Sequence, residues 1–138
     1  MSVQSPPAPS LQPRDCPCGS GQTYAACCGR WYGGPAHLGA PDALTLMRSR
    51  YTAYVLGLHD YLLATWHPST RPAALDPDPP GLRWLGLEVK RHWRDDDTHA
   101  RVEFVARCKR GGRAQRLHEI SRFVYEQGRW YYVDGDMV

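Results

Sequence analysis

The sequence has 138 residues, a formal net charge of +3 and 42% hydrophobic residues. That length suits one domain with a small appendage, and the apolar fraction is enough for a core. No apolar run approaches the about 18 residues that mark a membrane helix, the leading MSVQSPPAPSLQPRD lacks the basic and apolar regions of a secretory signal, and the small positive charge argues only weakly for a nucleic-acid partner, so a cytoplasmic setting with reduced thiols is expected.

Residues 1–14 carry Pro6, Pro7, Pro9 and Pro13 among Ser and Gln, a composition expected to stay disordered. CPCGSGQTYAACCG follows and holds four of the five cysteines. A disulfide between adjacent Cys27 and Cys28 closes a strained eight-membered ring, and no redox C-x-x-C on a βαβ unit is present. Four neighbouring thiolates suit a tetrahedral Zn²⁺ site. Gly19 and Gly21 allow tight turns around it. A peptide this short buries almost nothing by itself, so metal binding is what can fold it. Reduced, unliganded cysteines and a mixed ligand set with His37 are the alternatives. The knuckle reads as separable: removing residues 1–30 is expected to leave the remainder folded. GRWYGGPAHLGAP, residues 29–41, reads as Gly/Pro-rich, and residues 31–41 are assigned as a linker.

Asp42 caps an expected helix that Gly57 ends. Leu44, Met47, Tyr51, Tyr54, Val55 and Leu58 form its apolar stripe, with Arg48 and Arg50 on opposite flanks. HDYLLATWHP reads as a second, short helix with Asp60 at its start and Pro68 limiting it. STRPAALDPDPPG is a loop. The apolar period then changes from 3.6 to 2. LRWLGLEVKRHW places Leu85, Leu87 and Val89 on one side, and ARVEFVARCK places Val102, Phe104, Ala106 and Cys108 on one face. QRLHEISRFVYE and RWYYVDG follow, with turns at DDDTH, RGGR and QG. Two helices followed by a four-stranded antiparallel meander make an α+β fold. Cys108, in phase with its apolar neighbours, reads as a buried structural thiol.

With five Trp and eight Tyr, a ring-lined pocket is one expectation. His67, before Pro68 at a helix end, is a candidate base or ligand contact next to Trp66, or simply a helix-dipole partner. In HEISRF, Glu119 and Ser121 share a face with Phe123. If that face is the core, the two polar groups need partners, and Arg48 or Arg50 can supply one. Asp134, in phase with Trp130 and Tyr132, is a further carboxylate. His67, Glu119 and Asp134 are thus the candidate bases, and Tyr132 is a candidate oxyanion partner. Arg48, Arg50, Trp66, His67, Glu119, Ser121 and Tyr132 are the candidate ligand contacts. Arg107, Lys109, Arg110, Arg113 and Arg116 cluster at the RGGR hairpin, either to meet phosphates, as in RNA, or as a solvated turn that blunts a sheet edge.

CPCGSGQTYAACCG resembles the SEC-C motif, the zinc element at the C-terminus of the SecA translocation motor. LMRSRYTAYVLG, YLLATWHPSTRP, WLGLEV, VEFVAR, HEISRF and WYYVDG resemble, in order, the YchJ-like family of bacterial proteins. The resemblance spans about residues 14–135. It implies a knuckle at 15–30 with Cys16, Cys18, Cys27 and Cys28 as zinc ligands. It further implies a nuclear-transport-factor-2-like (cystatin-like) cone at 42–138. The SecA tail contacts the chaperone SecB and the ribosome, so a protein or ribosomal partner is implied for the knuckle, and a small ligand or a homodimer through the sheet for the cone. Some relatives carry a second cysteine motif at the C-terminus, where this sequence reads DGDMV, so a function needing two knuckles is not expected.

Overall fold

The computed structural model describes residues 15–34 and 36–138. The expectation of disorder for residues 1–14 lies outside them. A 3₁₀ turn, Cys28–Trp31, closes the cysteine segment. Helix α1 runs Ala43–Leu56, and the shorter α2 runs His59–Ala64. Four strands follow, β1 Arg83–Arg94, β2 His99–Arg110, β3 Arg113–Glu126 and β4 Arg129–Met137. They form one antiparallel sheet in the order β1-β2-β3-β4. The architecture is α+β. Among the described residues no helix is long and apolar enough to cross a membrane.

Helix α1 has the ends its sequence specifies. The Asp42 side chain accepts from the Thr45 N–H at 2.7 Å, and Gly57 ends the helix in the left-handed region at φ 71°. Replacing Asp42 by Ala removes that acceptor and is expected to cost about 1 kcal/mol, read as a lower chemical-denaturation midpoint at constant m-value.

The burial of α1 differs from the single stripe expected. Met47, Tyr51 and the half-buried Tyr54 face the sheet, but Leu46, Ser49, Arg50, Thr52 and Ala53 are buried as well. The helix is covered on several sides: β1, β2 and β4 lie on one, α2 and the cysteine segment on others. An enclosed helix carries apolar or small residues around most of its circumference, so its apolar period is weak.

Helix α2 begins after Leu58, with Asp60 in its first turn, and ends at Thr65. Beyond it the chain joins the sheet. His67 N–H donates to the Tyr132 carbonyl at 2.7 Å, and Tyr132 N–H donates to the Thr65 carbonyl at 2.8 Å.

The sheet has three register shifts, and two of them decide which side chains face the cavity. The β1–β2 register shifts between Trp84 and Gly86, so Leu85 is the extra residue. A bulge reverses the alternation: Trp84, Leu87 and Val89 pack against the core, while Leu85 is 51% exposed. This corrects the expected inward Leu85. The shift between β3 and β4 sets Arg122 opposite Asp134 but Phe123 opposite Tyr132, leaving Val133 unpaired. It carries Asp134 to the outer face. In β2, Val102, Phe104, Ala106 and Cys108 are all buried, as their alternation predicts. The RGGR turn uses Gly111 and Gly112 at φ 58° and 79°, the left-handed pair of a type I′ hairpin.

The outer face is tied by exposed and half-buried ion pairs. Arg122 holds Asp134 and Asp136, each at 2.6 Å. Glu103 accepts from Arg91 at 2.6 Å and pairs with His118 at 2.7 Å.

Candidate functional site

The cysteine segment is shaped by its glycines. Gly19 and Gly21 sit at φ 78° and 85°, and the Gly19 N–H turns back to the Cys16 carbonyl. The four Sγ atoms of Cys16, Cys18, Cys27 and Cys28 lie within 4.8 Å of one another. Cys18 and Cys27 are 3.6 Å apart, and Cys27 and Cys28 are 4.0 Å apart. All four thiols are free and buried. With Zn–S bonds of about 2.3 Å, a tetrahedron has edges of roughly 3.8 Å, so this set fits such a site. His37 is exposed and is not a member of the cluster.

Hydroxyls surround the sulfurs. Ser20 Oγ donates to Cys27 Sγ at 3.2 Å, and Thr52 Oγ1 donates to Cys28 Sγ at 3.3 Å. Thr52 Oγ1 also lies 3.7 Å from Cys16 Sγ. Hydrogen bonds from Cys18 and Cys28 hold Cys16 far below the ordinary thiol range, while the same pairing with Cys16, followed by Cys18 and burial, pushes Cys28 far up. Four thiolates this close together repel one another, so a cation is needed for all four to ionise. Arg48 Nη1 donates to the Cys18 carbonyl at 2.9 Å and clamps the knuckle to α1. Thr52→Val keeps the volume and removes the hydroxyl. It is expected to weaken metal binding about tenfold, measured by competition with a chromophoric chelator.

Residues 31–41, expected as a linker, are partly built into the core. Trp31 and Ala40 are buried, and the Tyr32 hydroxyl donates to the Ser49 carbonyl at 2.6 Å. Burial pushes the Tyr32 hydroxyl well above the phenol range.

A second site lies on the other side of α1. A cavity of about 250 Å³ is walled by Met47, Tyr51 and Tyr54 from α1, Trp84 from β1, Phe104 and Ala106 from β2, and Leu117 and Phe123 from β3. Arg50, Glu119, Ser121 and Tyr132 are its polar groups. Glu119 Oε2 accepts from Ser121 Oγ at 2.5 Å and from the Tyr132 hydroxyl at 3.4 Å. Burial, then the Glu119 carboxylate, pushes the Tyr132 hydroxyl well above the phenol range, so it remains a neutral donor. Gly135 makes room for this arrangement, because a Cβ there collides with the Glu119 carboxylate.

Arg50 is 5% exposed. Its Nη1 donates to the Leu62 carbonyl and to Thr65 Oγ1, both at 2.7 Å. Its Cζ lies 4.5 Å from the Tyr132 ring centre and 5.1 Å from that of Trp66. Burial lowers its pKa from the usual guanidinium value. The Arg–Glu pair expected from the sequence is not formed: Arg50 and Glu119 flank Tyr132 instead, one over its ring and the other at its hydroxyl.

Of the candidate contacts, Arg50, Glu119, Ser121 and Tyr132 converge on the cavity, while Arg48, Trp66 and His67 lie elsewhere. Arg48 serves the knuckle. Trp66 packs edge-on against Tyr132, and its Nε1 is buried without a partner among the described residues. His67 is held by Ser69 at 2.7 Å and by Glu126 at 3.1 Å. Of the three candidate bases, only Glu119 faces the cavity; Asp134 is turned outward by the β4 bulge and held by Arg122. At the basic hairpin, Arg107 pairs with Glu88 and the remaining cations are exposed.

The sequence reading missed Trp84 as a wall because a bulge hides its phase. It missed Thr52 as a hydroxyl facing sulfur, although the i, i+4 spacing from Arg48 puts both on one helix face.

Residues 15–30 match the SEC-C motif. Residues 42–135 match the description "YchJ, middle NTF2-like domain". A UPF0225 protein of Bordetella parapertussis is 59% identical over 129 residues, covering 94% of this chain and 97% of that protein. The solution structure of a SEC-C motif containing protein from Rhodopseudomonas palustris superposes with a TM-score of 0.76 at 38% identity, covering 89% of this chain and 98% of that one. A crystal structure of a SEC-C motif containing protein from Psychrobacter arcticus superposes with a TM-score of 0.72 at 30% identity, covering 91% and 82%.

Proposed function

The chain belongs to the YchJ-like, UPF0225 family, and from that premise we propose that it is a zinc-stabilised protein whose NTF2-like domain binds a small molecule. The observation that carries this reading is the apolar cavity of about 250 Å³ with a buried guanidinium and a carboxylate at its polar end. A chain that only needed to fold would fill this space with side chains, since voids and buried charges both cost stability. Cys16, Cys18, Cys27 and Cys28 are the proposed zinc ligands, supported by the sulfur geometry and the SEC-C match. A cytoplasmic setting suits four free thiols.

Docking of a protein or ribosomal partner by the knuckle finds less support, because α1 already covers its sulfur-bearing side. A dimer through the sheet finds less support as well, because ion pairs lace the outer face. Catalysis is a second reading, favoured by Glu119 facing the cavity with the Tyr132 hydroxyl beside it.

The test is native mass spectrometry of protein purified from cells, joined to amide NMR shifts on titrating a fragment library. One zinc per chain and shifts clustered on Met47, Tyr54 and Glu119 are expected. A library that leaves those amides unmoved removes the binding reading.

A further inference from the structure

We infer that the cavity's ligand is an uncharged, single-ring molecule that presents a carbonyl acceptor beside an N–H or O–H donor, a cyclic amide in the simplest case; this rests on the cavity being a binding site, as proposed above.

Size comes first. The cavity, at about 250 Å³, lies below the roughly 300–1,000 Å³ that drug-sized ligands occupy. Its walls are largely rings, with Tyr54, Trp84, Phe104 and Phe123 offering flat apolar faces. Planar occupants pack against such walls.

The polar end sets the rest. Arg50 uses Nη1 on Leu62 and Thr65, and no hydrogen-bond partner for its Nε or Nη2 is found among the described residues. The Arg50 side chain lines the cavity. These N–H groups call for an acceptor. Glu119 has the opposite need. Its Oε2 is taken by Ser121 and Tyr132, while Oε1 has no partner among the described residues. A donor on the ligand satisfies it. Because Arg50 and Glu119 flank the one ring of Tyr132, a single molecular edge carrying both an acceptor and a donor can reach the two.

Charge decides between classes. The formal charges of Arg50 and Glu119 cancel at the polar end. A carboxylate entering this space gains Arg50 but faces Glu119, and an ammonium gains Glu119 but faces Arg50. Either one carries an unbalanced charge into an apolar enclosure. A neutral acceptor–donor edge meets both groups without that cost.

The experiment uses the zinc-loaded full chain and four probes of similar size: 2-pyridone, benzoate, benzylamine and toluene. Affinities are read from amide shifts of Glu119, Ser121 and Tyr132. In the wild type, 2-pyridone is expected to bind at least roughly tenfold tighter than the other three, the ratio that one unsatisfied buried hydrogen bond produces. This order requires no variant. Glu119→Gln leaves Arg50 as the unbalanced charge, so benzoate is expected to overtake 2-pyridone in that protein. Tighter binding of benzoate, benzylamine or toluene by the wild type overturns the ligand class while leaving the cavity a binding site. If no probe moves any cavity amide, the binding reading itself falls.

Discussion

Stripping the proposed zinc from the four cysteines with a chelator is expected to lower the unfolding midpoint of the whole chain by on the order of 10 °C or more, in one transition. The reason is where the sulfurs sit. Cys16, Cys18, Cys27 and Cys28 share one buried cluster with Trp31, Leu46, Met47 and the inward residues of the sheet. Thr52 and Arg48 of α1 bond to the knuckle directly. Losing the metal therefore withdraws a wall from α1 as well as unfolding a short peptide. Structural zinc in small knuckles binds with about 10–16 kcal/mol. Even about 3 kcal/mol of that, at roughly 3–5 °C per kcal/mol for a chain of this length, gives a shift on the order of 10 °C. Acid works in the same direction, because each thiolate that takes a proton leaves the metal, so less chelator is needed as the pH falls. Differential scanning calorimetry with and without chelator checks this. An unchanged main transition beside a small separate one would mean that the knuckle is an independent appendage.

That independence is what the sequence suggested. Four cysteines in thirteen residues announce a metal site by spacing alone, because the chemistry is local. How the knuckle docks is not local. It depends on Thr52 and Arg48 sharing one face of α1 and on Trp31 and Ala40 being buried within a stretch whose Gly and Pro content reads as a linker. The meander was legible for the same local reason: the alternation in β2 and the RGGR and QG turns sit in short windows. Single-residue bulges were not legible. One sends Leu85 outward and Trp84 to the cavity; the other sends Asp134 to Arg122. Each is one extra residue in a strand, and each changes which side chains can meet a ligand. Glu119 was identifiable because two polar residues sharing a face with Phe123 demand an explanation. Its real partners, Ser121 and Tyr132, come from the strand itself and its neighbour rather than from α1.

Helix α1 connects the two sites. Met47, Arg50, Tyr51 and Tyr54 line the cavity, while Arg48 and Thr52 hold the knuckle. A residue on one of these faces is only one position from a residue on the other. Any rotation or fraying of α1 on metal loss moves the cavity wall. Binding of the proposed ligand and of the proposed metal is therefore expected to be thermodynamically linked, each tightening the other.

Arg50→Met is expected to leave the unfolding midpoint unchanged or higher while abolishing recognition at the polar end of the cavity. A buried guanidinium is costly, and burial already works against its charge. No ion pair within 4.0 Å compensates for it among the described residues. A buried charge with no ion-pair partner carries a desolvation cost without a matching Coulombic return, and an apolar side chain of similar volume avoids that cost. Glu119 loses the opposite charge across Tyr132 but keeps its Ser121 and Tyr132 hydrogen bonds, and the other groups left behind keep partners: the Leu62 carbonyl still receives the Thr65 hydroxyl at 3.3 Å, and that hydroxyl also bonds the Tyr61 carbonyl at 2.8 Å. Met fills the space over Tyr132 and Trp66 and makes favourable sulfur–ring contacts. What disappears is the guanidinium that lines the cavity. A residue whose loss stabilises the fold and removes binding is retained for binding. The check is paired calorimetry and 2-pyridone titration of the zinc-loaded variant. A midpoint that drops by 10 °C or more, roughly 3 kcal/mol or above, would make Arg50 a structural clamp between α1 and α2 and would take away the argument that the cavity was built around it.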